Sequence, residues 1–341
     1  MTEGPTPVHQ ACLYGSDDEF VAMALPFVNG GLADGDPVLV AAPVKNLQLL
    51  QDALGSQADQ VDFVDNQDFD GGAEERVLGV RDYVRGKREV TPERGHVRII
   101  SEPVWVDIPA HQTAQSVRIE SMANVIYAGV KVWFICAYDT RTTPPKVLKA
   151  ARQTHPQLVT GDRVSENDDY VDPYQFIRAQ DAQPLPDPPT EAPSLTFASD
   201  LEALRRFVAD HVTVQGMADG HAEMAVMAVY ETAAWMRQPT ESIPDSQCDP
   251  AADEPAPATD RSHQAPPMTI RIWSHSGTPV VDLWQSGVRL VNPFLGYQPP
   301  TLEPAPDDGL WLARMISARL DIRRDEHSSS VRLHLPRTGD E

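Results

Sequence analysis

Residues 37–42 read Pro37-Val38-Leu39-Val40-Ala41-Ala42, five apolar side chains in a row after a proline. A strand with one wet face alternates apolar and polar residues, whereas a strand covered on both faces does not. This stretch therefore predicts an interior strand of a parallel sheet. Towards the N-terminus, Ala11-Cys12-Leu13-Tyr14 is another short buried strand, and Ser16-Asp17-Asp18-Glu19 is a helix cap with acidic first-turn residues. Phe20, Met23, Ala24, Phe27 and Val28 then recur at helical spacing, with Gly30-Gly31 expected to end that helix. Towards the C-terminus the alternation continues: helix 47–54, strand 61–64, helix 74–88, strand 96–101, helix 113–128 and strand 130–138. Apolar strands alternating with helices predict an α/β fold, its sheet covered on both sides.

At 341 residues the chain exceeds one typical core, and 41% hydrophobic residues suffice for two. Residues 181–193 (DAQPLPDPPTEAP) hold five prolines. Proline propagates neither a helix nor a sheet ladder, so an extended linker is expected there, between domains at 1–180 and 194–341. In the second domain Asp200 is a helix N-cap, with Leu201, Leu204, Phe207, Val208 and His211 on one face. A helix over 220–237, strands over 268–273 and 279–284, a helix over 310–320 and a strand over 330–335 follow. They predict helices packed on one face of a mixed sheet, an α/β sandwich. Residues 239–267 carry seven prolines and six acidic residues against one arginine, and read as a disordered insertion.

The net charge of -22 argues against a nucleic-acid partner, which requires clustered Lys and Arg. No apolar run nears the ~20 residues that span a bilayer, and the first nine residues lack the features of a signal peptide. Three cysteines, Cys12, Cys136 and Cys248, are odd in number and far apart, so neither disulfides nor a zinc site are expected, and the cytoplasm is the expected compartment. His9 and His155 lack metal-ligand spacing, and Cys136 in its apolar strand reads as a core thiol. No metal is expected.

Seven short segments carry a resemblance across the first domain. They are His9–Tyr14 (HQACLY), Pro26–Leu32 (PFVNGGL), Ile99–Trp105 (IISEPVW), Glu120–Asn124 (ESMAN), Cys136–Asp139 (CAYD), Thr154–Pro156 (THP) and Tyr170–Pro173 (YVDP). In this order they resemble the MEDS sensory domain of methanogen and methylotroph regulators, which implies a RecA-like three-layer fold. The phosphate loop of that fold is missing: Tyr14-Gly15-Ser16-Asp17-Asp18-Glu19 fills the turn, and its three carboxylates disfavour phosphate. Ligands of open parallel sheets bind at the carboxyl ends of strands. Those ends carry Tyr14, Glu102, Trp105, Tyr138 and Asp139, a candidate site for a small-molecule signal or a protein loop.

Asp308-Gly309-Leu310-Trp311-Leu312-Ala313-Arg314 is similar to the segment after the nucleotide lid in histidine-kinase-like ATPase domains of actinobacterial anti-sigma-factor proteins. The resemblance implies Glu231 as general base and Gln285, Gly287 and Gly309 as nucleotide contacts. It also exposes departures. The magnesium-binding Asn position holds Trp235, and indole has no oxygen to offer. Gln285 replaces the adenine-binding Asp, and the lid glycines shrink to Asp307-Asp308-Gly309. The expectation is a pseudokinase that needs no cofactor and binds a sigma factor or an anti-sigma antagonist under control of the sensory domain. The alternative is a serine kinase that uses Mg-ATP and Glu231; a third reading makes Glu102 the centre of a small-molecule enzyme.

Overall fold

A computed structural model describes residues 7–66, 73–90, 95–106, 108, 110–182, 185–215, 217, 219–237, 266–286, 294–297, 300, 308–324 and 328–336. The chain divides into two compact units, residues 1–176 and 177–341.

The first unit runs β1 (Val8–Tyr14), α1 (Asp17–Asp34), β2 (Val38–Ala42), α2 (Val44–Leu54), β3 (Asp62–Asp65), α3 (Ala73–Val90), β4 (Val97–Ser101), α4 (Ala110–Ser121), α5 (Ala123–Ile126), β5 (Val132–Asp139), α6 (Pro145–Thr154), β6 (Gln157–Thr160) and β7 (Arg163–Glu166). Its sheet has the order β3-β2-β4-β5-β1-β6-β7, parallel except for the edge strand β7. Successive side chains along a strand face opposite ways. Cys12, Tyr14, Ile135 and Ala137 accordingly join Phe20, Met23, Phe27, Leu47 and Leu50 of α1 and α2 in one core. His9, Phe134, Cys136 and Tyr138 face the other layer, where α4 and α6 lie against each other. The parallel α/β architecture expected of this half is what forms.

Three local expectations are corrected. Helix α1 runs through Gly30-Gly31 and ends at Gly35, whose φ of 69° and N–H bonds to the Gly31 and Leu32 carbonyls make the left-handed cap. The glycine pair serves contact: a Cβ on Gly31 would lie 2.7 Å from Val38 Cγ2 and 2.9 Å from Arg98 Cδ. The helix expected over 113–128 is two, α4 and α5, separated at Met122. Helix α6 and strands β6 and β7 were not anticipated; Arg163–Glu166 is exposed throughout and carries no burial pattern to read.

Helix α7 (Pro173–Asp181) crosses the boundary between units. Residues 185–193 have no helix or strand, yet they are not free: the Pro186 carbonyl accepts from Arg332 Nη1 (2.8 Å) and the Pro193 carbonyl from Ile272 N (3.1 Å). The second unit continues with β8 (Ser194–Phe197), α8 (Leu201–Val214), α9 (Asp219–Met236), β9 (Met268–His275), β10 (Thr278–Ser286), α10 (Asp308–Ile316), β11 (Arg319–Arg324) and β12 (Ser328–His334). Its sheet is antiparallel, in the order β11-β12-β10-β9-β8. One sheet face, with Ile270, Ile272, Val281, Leu283, Val331 and Leu333, packs on Leu204, Val208, Ala225, Val229 and Leu310 of the three helices. The opposite face carries the Arg332–Asp282 ion pair at 2.8 Å, both partners buried. Helix α10 stops at Ile316 rather than 320, because Arg319–Arg324 alternates apolar Leu320 and Ile322 with charges, a strand period. The insertion expected over 239–267 lies outside the described residues up to 265. Among the described residues no helix is long and apolar enough to cross a membrane.

Candidate functional site

The five residues expected at one sheet end divide between its two faces. Tyr14 and Glu102 meet on the α1/α2 face, where the Tyr14 hydroxyl donates to Glu102 Oε1 at 2.5 Å. Asn46, on the first turn of α2, donates to Glu102 Oε2 (2.6 Å) and to the Tyr14 hydroxyl (2.8 Å). Burial pushes the Glu102 carboxyl up from its ordinary range, and the Tyr14 and Asn46 hydrogen bonds only partly oppose it. Asp139, in register with Tyr14 and so on the same face, is held by Arg141 (2.7 Å), which also reaches Asp17 (3.0 Å) and lies over the Tyr14 ring at 5.9 Å. Trp105 and Tyr138 stack on the opposite face of the sheet. At the turn after β1, the Glu19 carboxylate accepts from Gly15 N at 2.6 Å, so the chain's own anion takes the amide a phosphate would use.

Tyr138 leads to a set of residues that the sequence alone did not group. His9 on β1, Cys136 on β5, Glu120 near the end of α4 and His155 just after α6 bring one donor atom each to within 4.8 Å of the others. Parallel pairing sets Ala11 beside Cys136 and His9 beside Phe134, so His9 and Cys136 are diagonal neighbours on one face. Glu120 Oε1 lies 3.1 Å from His9 Nε2 and 3.0 Å from His155 Nε2, and Cys136 Sγ lies 3.4 Å from His9 Nε2. The imidazoles are 4.0 Å apart, centre to centre. His155 Nδ1 sits 2.8 Å from the Ala151 carbonyl, which can only accept, so the Nδ1 proton is fixed there.

Burial governs the electrostatics. The His9 imidazole is pushed down to about 4, by desolvation first and by His155 second, with Glu120 opposing. Desolvation disfavours an ionised Glu120 too, but the two imidazoles outweigh it and hold its carboxyl well below the usual carboxylate range. Burial, reinforced by Glu120, pushes the Cys136 thiol well above its ordinary value. The side chains of His9 and His155 are 2% and 0% exposed, whereas Glu120 keeps 21%. Glu120 also borders a narrow gap lined by Trp105, Val117, Tyr138, Val147, Ala151 and Thr154, with no room for a water molecule. Among the described residues these four are the group that could share an ion. Their signal in the sequence was indirect: each lies in one of the segments HQACLY, ESMAN, CAYD and THP.

In the second unit, Glu231 is half-buried on α9, and a Cβ on Gly309 would lie 2.5 Å from Glu231 Oε2, so the first turn of α10 rests on this carboxylate. Trp235 is buried in the helix–sheet core. Gln285 is fully buried and donates through Nε2 to the Pro266 carbonyl at 2.5 Å. Gly287 lies outside the described residues.

Residues 8–156 match the family described as MEDS: MEthanogen/methylotroph, DcmR Sensory domain. Residues 8–156 of the first unit are therefore similar to this sensory domain, a likeness that points towards a signalling role. No curated protein matches it.

Proposed function

We propose that this chain is a two-part signalling regulator, in which the sensory domain receives a chemical signal and residues 194–341 deliver the output by binding a protein. The observation that carries the input half is the cluster of His9, Glu120, Cys136 and His155, four donor groups gathered in a core with Glu120 partly exposed. Polar groups cost stability when buried, and a fold that keeps four together at such cost does so for a site. The output half is supported by three side chains that serve the fold at positions where phosphoryl transfer would need them. Trp235 belongs to the core, Gln285 is fully buried with its Nε2 on Pro266, and Glu231 is covered by Gly309. A sigma factor or an anti-sigma antagonist is the partner class, met in the cytoplasm.

A calorimetric titration of the full chain with Mg-ATP tests the output half. The expected result is no heat at millimolar nucleotide, together with retention of a sigma factor or antagonist on the immobilised chain. Micromolar, magnesium-dependent binding, with phosphate transfer lost in Glu231→Gln, would make the chain a serine kinase instead.

A further inference from the structure

We infer that His9, Glu120, Cys136 and His155 bind one divalent transition-metal ion of the zinc class, tetrahedrally, through two imidazole Nε2 atoms, a carboxylate oxygen and a thiolate. The inference rests on the reading of this cluster as the input site, and makes the ion either the signal or the anchor for it.

Three observations carry it. The first is spacing. Zinc bonds of about 2.0–2.3 Å to N, O and S place tetrahedral ligands about 3.3–3.8 Å apart. The observed separations of 3.0, 3.1 and 3.4 Å, with all four atoms inside 4.8 Å, need only small side-chain shifts to admit the ion. The second is the backing of His155. A metal-bound imidazole commonly donates its far N–H to a backbone carbonyl. His155 does so to Ala151, and its Nε2 makes no hydrogen bond although it stands 3.0 Å from Glu120 Oε1. In that tautomer Nε2 presents a lone pair towards Glu120, and a cation between the two could take both as ligands. The third is ligand chemistry. Two nitrogens and one sulfur suit zinc or cobalt and do not suit magnesium or calcium, which take oxygen shells. Glu120, the partly accessible member, is the ligand an arriving ion would meet first. Binding would displace the Cys136 proton and tie α4 and α6 to strands β1 and β5.

The test is a titration of the chelator-treated full chain with cobalt(II), followed by competition with zinc. The expected result is one ion per chain, tetrahedral visible bands with a thiolate-to-cobalt charge-transfer band, and their loss on adding zinc. Cys136→Ser removes the charge-transfer band, and Glu120→Gln or His155→Gln weakens binding by roughly 100-fold or more. The double variant Cys12→Ser/Cys248→Ser, which leaves Cys136 as the one cysteine, keeps the full spectrum and decides the matter if single-ligand variants fail to fold. No stoichiometric binding by folded wild-type chain, or a spectrum that survives Cys136→Ser, overturns the inference. Zinc binding that leaves partner retention unchanged would keep the metal site and sink its role as the input.

Discussion

Gly31 exists for Arg98. The arginine runs under helix α1 with its guanidinium on Asp36 (2.9 Å), Asp34 (2.5 Å) and the Phe27 carbonyl (3.2 Å), and over the Trp133 ring at 4.8 Å. A methyl group at residue 31 would press on both Arg98 and Val38. Alanine is the better helix former by about 1 kcal/mol, yet overpacking a full core costs about 1–3 kcal/mol. Gly31→Ala is therefore expected to lower stability, read as an earlier urea midpoint with unchanged slope. Gly86, in helix α3 with open space around it, is the control whose alanine variant is stabilised.

The Tyr14 hydroxyl both donates to Glu102 and accepts from Asn46. Tyr14→Phe leaves the buried carboxyl one donor short, at a cost of about 1–3 kcal/mol. The folded Glu102 carboxyl keeps its proton to higher pH than in the unfolded chain. It therefore favours folding most below the unfolded value of about 4.3 and progressively less as pH rises past it. Removing the hydroxyl raises the carboxyl further and steepens that decline, which a series of urea midpoints from pH 4 upward would show.

Asp321 has the opposite sign. Burial alone would raise its carboxyl, but His334 (3.5 Å), Arg319 (2.7 Å) and Arg323 (3.5 Å) outweigh it and hold it well below the usual range. Its stabilisation is complete above the unfolded value of about 3.9 and is lost as pH falls through the lower folded one. Asp321→Asn should reduce stability at neutral pH by about 1–3 kcal/mol and lose less than wild type on acidification. Parallel acid-limb curves for the two chains would refute this.

Arg314 is 2% exposed, with Nε and Nη2 on the Leu295 carbonyl, Nη1 on the Leu320 carbonyl and its guanidinium 3.6 Å from the Tyr297 ring centre. Methionine preserves the volume but abandons both carbonyls and the ring. Arg314→Met is expected to cost about 2–4 kcal/mol, seen as a lower Tm for the second unit. Arg314→Lys should recover only part, since one ammonium cannot span both carbonyls in a planar fork.

Periodicity made most of the architecture legible: the apolar run at residues 37–42 is an interior strand, and the Leu204/Val208 face of α8 meets the sheet. What failed were signals whose cause lies far away in the chain. Gly30-Gly31 looks like a helix stop, but its reason is an arginine on β4. Leu320 looked like the end of a helix until its period of two with Ile322 was set against β12. The cluster was hardest to see. Local ligand spacing marks a metal site built on one loop or helix, whereas His9, Glu120, Cys136 and His155 become neighbours only through the crossovers of a parallel sheet.

The same crossovers set a schedule for the chain as it is made. Strand β1 leaves the ribosome before the sheet's other strands, yet it pairs with β5 and β6, whose residues are synthesised more than a hundred positions later. Until then it offers two unpaired edges, the exposure that invites association with other chains. Long-range parallel pairing is also slow to form, because the intervening loop must be closed before any contact repays it. The centre of the sheet thus closes late, and a chain interrupted before β5 would carry a finished helix α1 beside a strand with nowhere to go.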